Sequence, residues 1–297
     1  MVRSKTYITG RFMEIEIFNI APNRKKNKRR RKIKESTPAQ KNLNDKKSRK
    51  HFIRLVHNNF GDKDLYVDLT YDKENIPDTK DRILKDVRNY IHRLRRWRKK
   101  NGLPALKYIY VISNCDQLGN KVRYHVHMII NDMDRDVAEQ KWGKGRANTD
   151  RLQFNEYGVT GKSKYMMNQA KGERSWNCSI NLKKPEAIVS DHKVTKHQME
   201  HMANMPDDRV FIEKLINRGR KYEWTFTDCV VEYDGRQMIM DGLIPESEGF
   251  GNGISLLIRA RREDGYRKAD KEKIKPGILS DERNRKPAAD NRQVRRC

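Results

Sequence analysis

The run Tyr124-His125-Val126-His127-Met128-Ile129-Ile130 is the most informative stretch of this chain. On an extended strand successive side chains alternate, so His125 and His127 share one face while Val126 and Met128 pack on the other. Two imidazoles on one face can converge on a single cation. Leu106 to Ser113, just upstream, is rich in Tyr, Ile and Val, and a turn near Gly119-Asn120 separates it from Val122 to Ile130. That pattern predicts a hairpin with the histidines on its second strand.

Further upstream, Asp64 to Tyr71 reads DLYVDLTY, with Leu65, Val67 and Leu69 on one face and Tyr66, Asp68 and Thr70 on the other. This is the pattern of a half-buried strand. Pro77, Asp78 and Thr79 supply helix-start chemistry. Ile83, Val87, Tyr90, Ile91, Leu94 and Trp97 then recur at three and four until Gly102 and Pro104 end the helix. Downstream, Asp134 caps a short helix through Trp142, Arg151 to Phe154 reads as a short strand, and Tyr157 to Ala170 as a weaker helix. Helical patterning returns at Val194 to Met202 and Arg209 to Arg218, followed by strand-like segments at Tyr222 to Tyr233 and Ser255 to Ala260. Near the N-terminus Tyr7 to Ile20 reads as one strand. Helices and hairpins in this order predict an α+β fold, an antiparallel sheet with helices packed mainly on one face.

Of the 297 residues 66 are Lys or Arg and 40 are Asp or Glu, a formal charge of +26, so a polyanion is the natural partner. Nucleic acid is favoured over a membrane because the basic residues run along the whole chain and no long apolar stretch occurs. The segment Arg24 to Lys34 has nothing to bury and reads as a basic arm, in which Arg29, Arg30, Arg31 and Lys32 would hold DNA phosphates without sequence choice. The charged tail after Arg261 is expected to be disordered as well. The expected division is therefore an N-terminal strand and arm over 1–50, a central domain over 51–185, an α+β extension over 186–261, and a tail over 262–297. Cys115, Cys178, Cys229 and Cys297 lie far apart, and Met1 to Gly10 lacks the apolar core of a secretory signal, so a reducing cytoplasm is the expected location.

Imidazoles bind Mn²⁺ and other transition ions, and a third ligand with water would leave a position open for a phosphate oxygen. A nucleophile is then needed. Tyr165, in Gly161-Lys162-Ser163-Lys164-Tyr165-Met166-Met167, lies on a predicted helix among lysines, and Tyr157 is its rival. A phenol with an ordinary pKa of about 10 needs a nearby cation to reach phenolate at neutral pH.

These residues, with Asn59-Phe60-Gly61-Asp62, Leu69-Thr70-Tyr71, Lys107-Tyr108-Ile109-Tyr110-Val111 and Ser179-Ile180-Asn181-Leu182-Lys183-Lys184-Pro185, carry a family resemblance. In type and order they resemble HUH-superfamily rolling-circle replication initiators of bacterial plasmids, integrative elements and phages. The resemblance covers roughly Tyr7 to Pro185. It implies the HUH endonuclease fold with a five-stranded antiparallel sheet, and Mg²⁺ or Mn²⁺ held by His125 and His127. It also implies that Tyr165 cuts one strand of origin DNA, leaving a 5′-phosphotyrosyl link and a free 3′-hydroxyl that primes replication. Such proteins usually place a glutamate before the histidine pair as third ligand, where this chain offers Asn114 and Asp116. They also tend to carry a lysine three positions after the tyrosine, where this chain has Asn168. Lys162, Lys164 or Lys171 can substitute, and Lys162, one helical turn before Tyr165, is the best placed. Lys164 is also expected to contact DNA.

The sequence has no Walker-type nucleotide loop, so a host helicase and polymerase are the candidate partners beyond single-stranded or origin DNA. Two alternatives stand beside this reading. One is a non-catalytic single-strand binder that stacks bases on Tyr66, Tyr108 and Tyr110. The other is a relaxase or transposase with the same chemistry.

Overall fold

The computed structural model describes residues 1–20, 38–116, 120–168, 176–233 and 254–262. In chain order the elements are β1 (Val2–Thr9), β2 (Phe12–Asn19), α1 (Pro38–Asn59), β3 (Leu65–Thr70), α2 (Lys80–Lys100), β4 (Tyr108–Cys115), β5 (Lys121–Ile130) and α3 (Arg135–Gln140). They continue with β6 (Ala147–Arg151), α4 (Thr160–Asn168), β7 (Asn177–Cys178), β8 (Ala187–Ser190), α5 (Lys196–Asn204), α6 (Arg209–Asn217), β9 (Thr225–Tyr233) and β10 (Ile254–Arg261). The basic arm at Arg29 to Lys32, the expected tail, and Lys171 lie outside the described residues.

The strands form two antiparallel sheets of five. The first, in the order β6-β3-β5-β4-β7, is the expected one. Its alternation sends Leu65, Val67 and Leu69 of β3 and Val126, Met128 and Ile130 of β5 to one face, against Ile83, Val87, Tyr90 and Leu94 of α2 and against Trp142. Each such buried aliphatic or aromatic side chain contributes roughly 1.5–3 kcal/mol over its exposed state. α2 starts where Thr79 accepts the Arg82 N–H and is pinned further by the Tyr90 hydroxyl donating to the Ala138 carbonyl. Gly145, after α3, passes so close to this sheet that a Cβ there would collide with backbone of Thr70 to Asp72.

The α+β class stands, but the expectation of helices mainly on one face needs correction. The second face, carrying Tyr66, Ile109, Val111 and Ile129, is covered by Phe52, Leu55 and Val56 of α1 and by Met166 of α4. A sheet whose two faces are both apolar along most of β3, β4 and β5 requires a second layer of cover.

The other sheet, in the order β8-β1-β2-β10-β9, joins the two ends of the described chain. Tyr7 to Ile20 is not one strand. β1 and β2 turn back on each other at Gly10, whose φ of 61° suits glycine. The strands expected in the 1–50 and 186–261 segments are thus hydrogen-bonded partners, β2 pairing β10 and β1 pairing β8. One face packs Met13, Ile15, Ile17, Leu256 and Ile258 against α5 and α6.

The other face meets α1 through charge. Arg54 donates to Glu14 at 2.6 Å and Glu16 at 2.9 Å and lies 3.6 Å from the centre of the Tyr7 ring. Burial opposes ionisation of Glu16, yet the Arg54 guanidinium holds its carboxyl below the usual range. Removing one member of such a buried pair costs about 3–5 kcal/mol, because the other charge stays behind.

His57, near the end of α1, lies buried in the same region. Its Nε2 accepts the Val159 N–H at 3.2 Å, and its ring centre lies 4.5 Å from that of Phe12. Burial pushes its pKa from 6.5 down to about 3. The unfolded chain therefore takes up a proton below about pH 6.5 that the folded chain refuses until about pH 3, so stability is lost as pH falls through that window. Urea unfolding should lose about 2 kcal/mol from this group between about pH 7 and about pH 5. His57→Gln keeps the acceptor without the titration and should show a correspondingly smaller drop. Parallel pH profiles for the two proteins would assign the acid sensitivity to other groups.

Candidate active site

β5 carries both histidines toward α1 and α4. In register, Asp68 of β3 and Val111 of β4 flank His127, while Thr70 and Ser113 flank His125. The two imidazole centres are 4.7 Å apart with planes at 81°. His125 Nδ1 lies 3.0 Å from the Arg123 carbonyl, which can only accept, so Nδ1 carries the proton and Nε2 the lone pair. His127 is buried, and its Nδ1 donates to Asp68 Oδ1, which likewise leaves the lone pair on Nε2. Both rings are held in the tautomer that a metal requires, each through the nitrogen away from the ion.

Asp68 is shared. Its Oδ1 also accepts from the Tyr66 hydroxyl at 2.7 Å, and that hydroxyl oxygen is 2.7 Å from His127 Nδ1. Burial raises the Asp68 pKa, but hydrogen bonds from His127 and Tyr66 and the charge of Lys162 outweigh it and keep the carboxyl below its usual range. The Tyr66 phenol moves the opposite way. Burial and the adjacent Asp68 carboxylate push it far above the ordinary phenol range, so Tyr66 remains a donor and is no nucleophile.

The other tyrosine arrives from α4. Ser163, Met166 and Met167 are buried, which fixes the rotation of the helix and leaves Tyr165 half-buried on the sheet side. Its ring centre is 5.3 Å from that of His127, edge-on at 67°. Lys162, one turn earlier, sets its ammonium 4.1 Å from the Tyr66 ring centre and 5.9 Å from that of Tyr165. A cation thus stands next to the half-buried phenol, as the sequence spacing suggested.

His125, His127, Tyr165 and Lys162 are therefore brought together. Lys164 is exposed on the same helix. Tyr157 stands in the turn before α4, where its carbonyl accepts from the Thr160 hydroxyl at 2.6 Å. Asn114 lies at an irregularity in the β4–β5 pairing between Ser113 and Cys115. Asp116 ties the hairpin, accepting from the Asn120 N–H at 2.8 Å and its side-chain amide at 2.9 Å. The carboxylate touching the histidine pair is that of Asp68, which sequence reasoning missed. The alternation of DLYVDLTY put Asp68 on the Tyr66 and Thr70 face, but nothing in the sequence showed that β3 pairs with the histidine strand. The base-stacking surface fails too, since Tyr66 is 2% and Tyr110 5% exposed.

Among the described residues no three His, Cys, Asp or Glu side chains are placed to hold one ion together. The donor set is two imidazole nitrogens, with Asp68 engaged at the back of His127. Two nitrogen donors with open positions suit a transition ion such as Mn²⁺ better than the oxygen-preferring Mg²⁺.

Residues 64–171, from the start of β3 past the end of α4, match the model of a replication-associated protein family, that of ORF2. No curated protein and no solved structure matches the chain.

Proposed function

We propose, for a chain whose residues 64–171 belong to the ORF2 family of replication-associated proteins, that this site nicks one strand of origin DNA to start rolling-circle replication. The Tyr165 oxygen attacks the scissile phosphorus, the bond from phosphorus to the 3′-oxygen breaks, and that oxygen takes up a proton. The phenol gives up its own proton in the same exchange. One phosphodiester replaces another, so neither water nor a nucleotide is consumed. The product is a 5′-phosphotyrosyl link with a 3′-hydroxyl from which a polymerase can extend.

His125 and His127 are the residues that would hold a divalent ion, Mn²⁺ or Mg²⁺, and such an ion polarises a phosphoryl oxygen. Asp68 keeps His127 in its ligating tautomer. Lys162 favours loss of the Tyr165 proton and offsets charge on the phosphate. The carrying observation is the 5.3 Å approach of the Tyr165 ring to His127, which puts a candidate nucleophile beside a candidate metal-binding pair. The buried Tyr66 and Tyr110 weigh against a purely stacking binder. The family description favours replication over conjugation or transposition. Among the described residues no helix is long and apolar enough to cross a membrane. Unwinding and copying then fall to a host helicase and polymerase, with the work done in the cytoplasm.

Incubation with single-stranded origin DNA should give a covalent adduct on a denaturing gel with Mn²⁺, a weaker one with Mg²⁺ and none with a chelator. His127→Ala should reduce the Mn²⁺ adduct by about a hundredfold or more. An undiminished adduct in chelator, or in the His127 variant, would remove the metal from the reading. The absence of any adduct across candidate origins would remove the nicking.

A further inference from the structure

α2 covers the face of the first sheet opposite the histidines, and its outward side is a basic stripe. Lys85, Arg88, His92, Arg95, Arg96 and Lys99 are all exposed and recur at three and four, opposite the buried Ile83, Val87, Tyr90 and Leu94. The stripe runs about 20 Å, the length of roughly six base pairs. The helix's two acidic residues, Asp81 and Asp86, both lie ahead of its main run.

The arginines of this helix fall into two groups. Arg93 and Arg98 turn inward and are consumed by the fold, Arg93 donating to the Lys141 and Trp142 carbonyls and Arg98 to those of Pro104 and Asp132. These bonds, with the apolar seam, hold the helix rigid. Among the outward residues, Arg88 reaches back to the Leu84 carbonyl at 3.1 Å and Arg95 lies 5.7 Å from the Tyr108 ring centre. Neither contact neutralises charge. A rigid helix face carrying this much uncompensated charge is complementary to a polyanion.

We infer that α2 is a docking surface for duplex DNA, separate from the single-strand site and on the far side of the sheet from it. Single-strand grooves pair charge with stacking rings, and no Phe, Tyr or Trp is exposed on α2. Phosphate contact by arginine and lysine along a straight helix fits a duplex backbone instead. The inference rests on DNA being the partner in the reading above. On that reading, one face of the sheet would anchor the duplex flanking the origin while the other handles the strand to be cut.

The test compares the full chain with a variant carrying Arg88→Gln, Arg95→Gln, Arg96→Gln and Lys99→Gln, exposed positions where glutamine sustains a helix. A control removes the same charge elsewhere, through Lys41→Gln, Lys46→Gln, Lys47→Gln and Lys63→Gln. Binding of a fluorescent duplex and of a single strand is measured against salt, with melting temperature and adduct yield on the single strand. The α2 variant should bind duplex about tenfold or more weakly near physiological salt, with a log–log salt slope shallower by about 3 units. Its melting temperature, single-strand adduct and single-strand affinity should hold. An unchanged duplex slope, an equal loss in the control, or an equal loss of single-strand binding would each overturn the inference. Should the wild type form no adduct, the nicking reading falls, while the duplex comparison still decides the role of α2.

Discussion

Tyr165→Phe is expected to abolish the covalent adduct, a loss of at least about a thousandfold, because no other group can supply the attacking oxygen. The substitution keeps the ring that packs edge-on against His127 and removes only the hydroxyl. A change this small at a half-buried site should leave the melting temperature within a few degrees of the parent. DNA binding should persist, so the variant would hold its substrate and fail to cut it. Tyr157→Phe is the natural comparison, since the Tyr157 backbone, not its hydroxyl, is what the turn before α4 uses. It should form adduct at close to the parental rate. If the loss follows Tyr157 instead, α4 presents the wrong phenol and the site must be redrawn.

Asp68→Asn should carry the next largest effect, a drop of about 10- to 100-fold in nicking. The carboxylate only accepts, so it keeps the proton on His127 Nδ1; an amide can turn its NH₂ to that nitrogen and drive the proton to the other side of the ring. The metal-binding nitrogen is then blocked in part of the population. Asp68 is thus a positioning residue, and its variant should be distinguishable from a merely unstable one. Raising Mn²⁺ should recover much of the rate, and the midpoint of the Mn²⁺ titration should move upward. A variant slow at every Mn²⁺ concentration, with an unshifted midpoint, would mean that Asp68 does not act through the ion.

Much of the first sheet was legible because its elements carry their own signals. β3, α2, β4 and β5 appear where alternation and helical spacing put them, and Asp134 caps α3 as expected. The histidine pair and Tyr165 were legible for the same reason, each being read from local periodicity. α1 was not. Its first half is crowded with Lys, Asn and Asp, and its apolar residues Phe52, Leu55 and Val56 sit close to its end. It is helical because it fits between two sheets, a tertiary cause with no local signature. β6 was placed too late, since ANTDR has no apolar alternation and becomes a strand by pairing with β3. Asp68 was overlooked through the same gap, because which strands lie side by side is not written in either of them.

The second sheet has a bearing on biosynthesis. β2 emerges from the ribosome within the first twenty residues, while its neighbour β10 ends at Arg261. Until β10 is made, one edge of the β1–β2 ribbon offers unpaired backbone groups, and Met13, Ile15 and Ile17 lack Leu256 and Ile258 beside them. The nascent polypeptide therefore carries a sticky border through most of translation, and a chaperone or low expression temperature should improve the yield of properly folded protein.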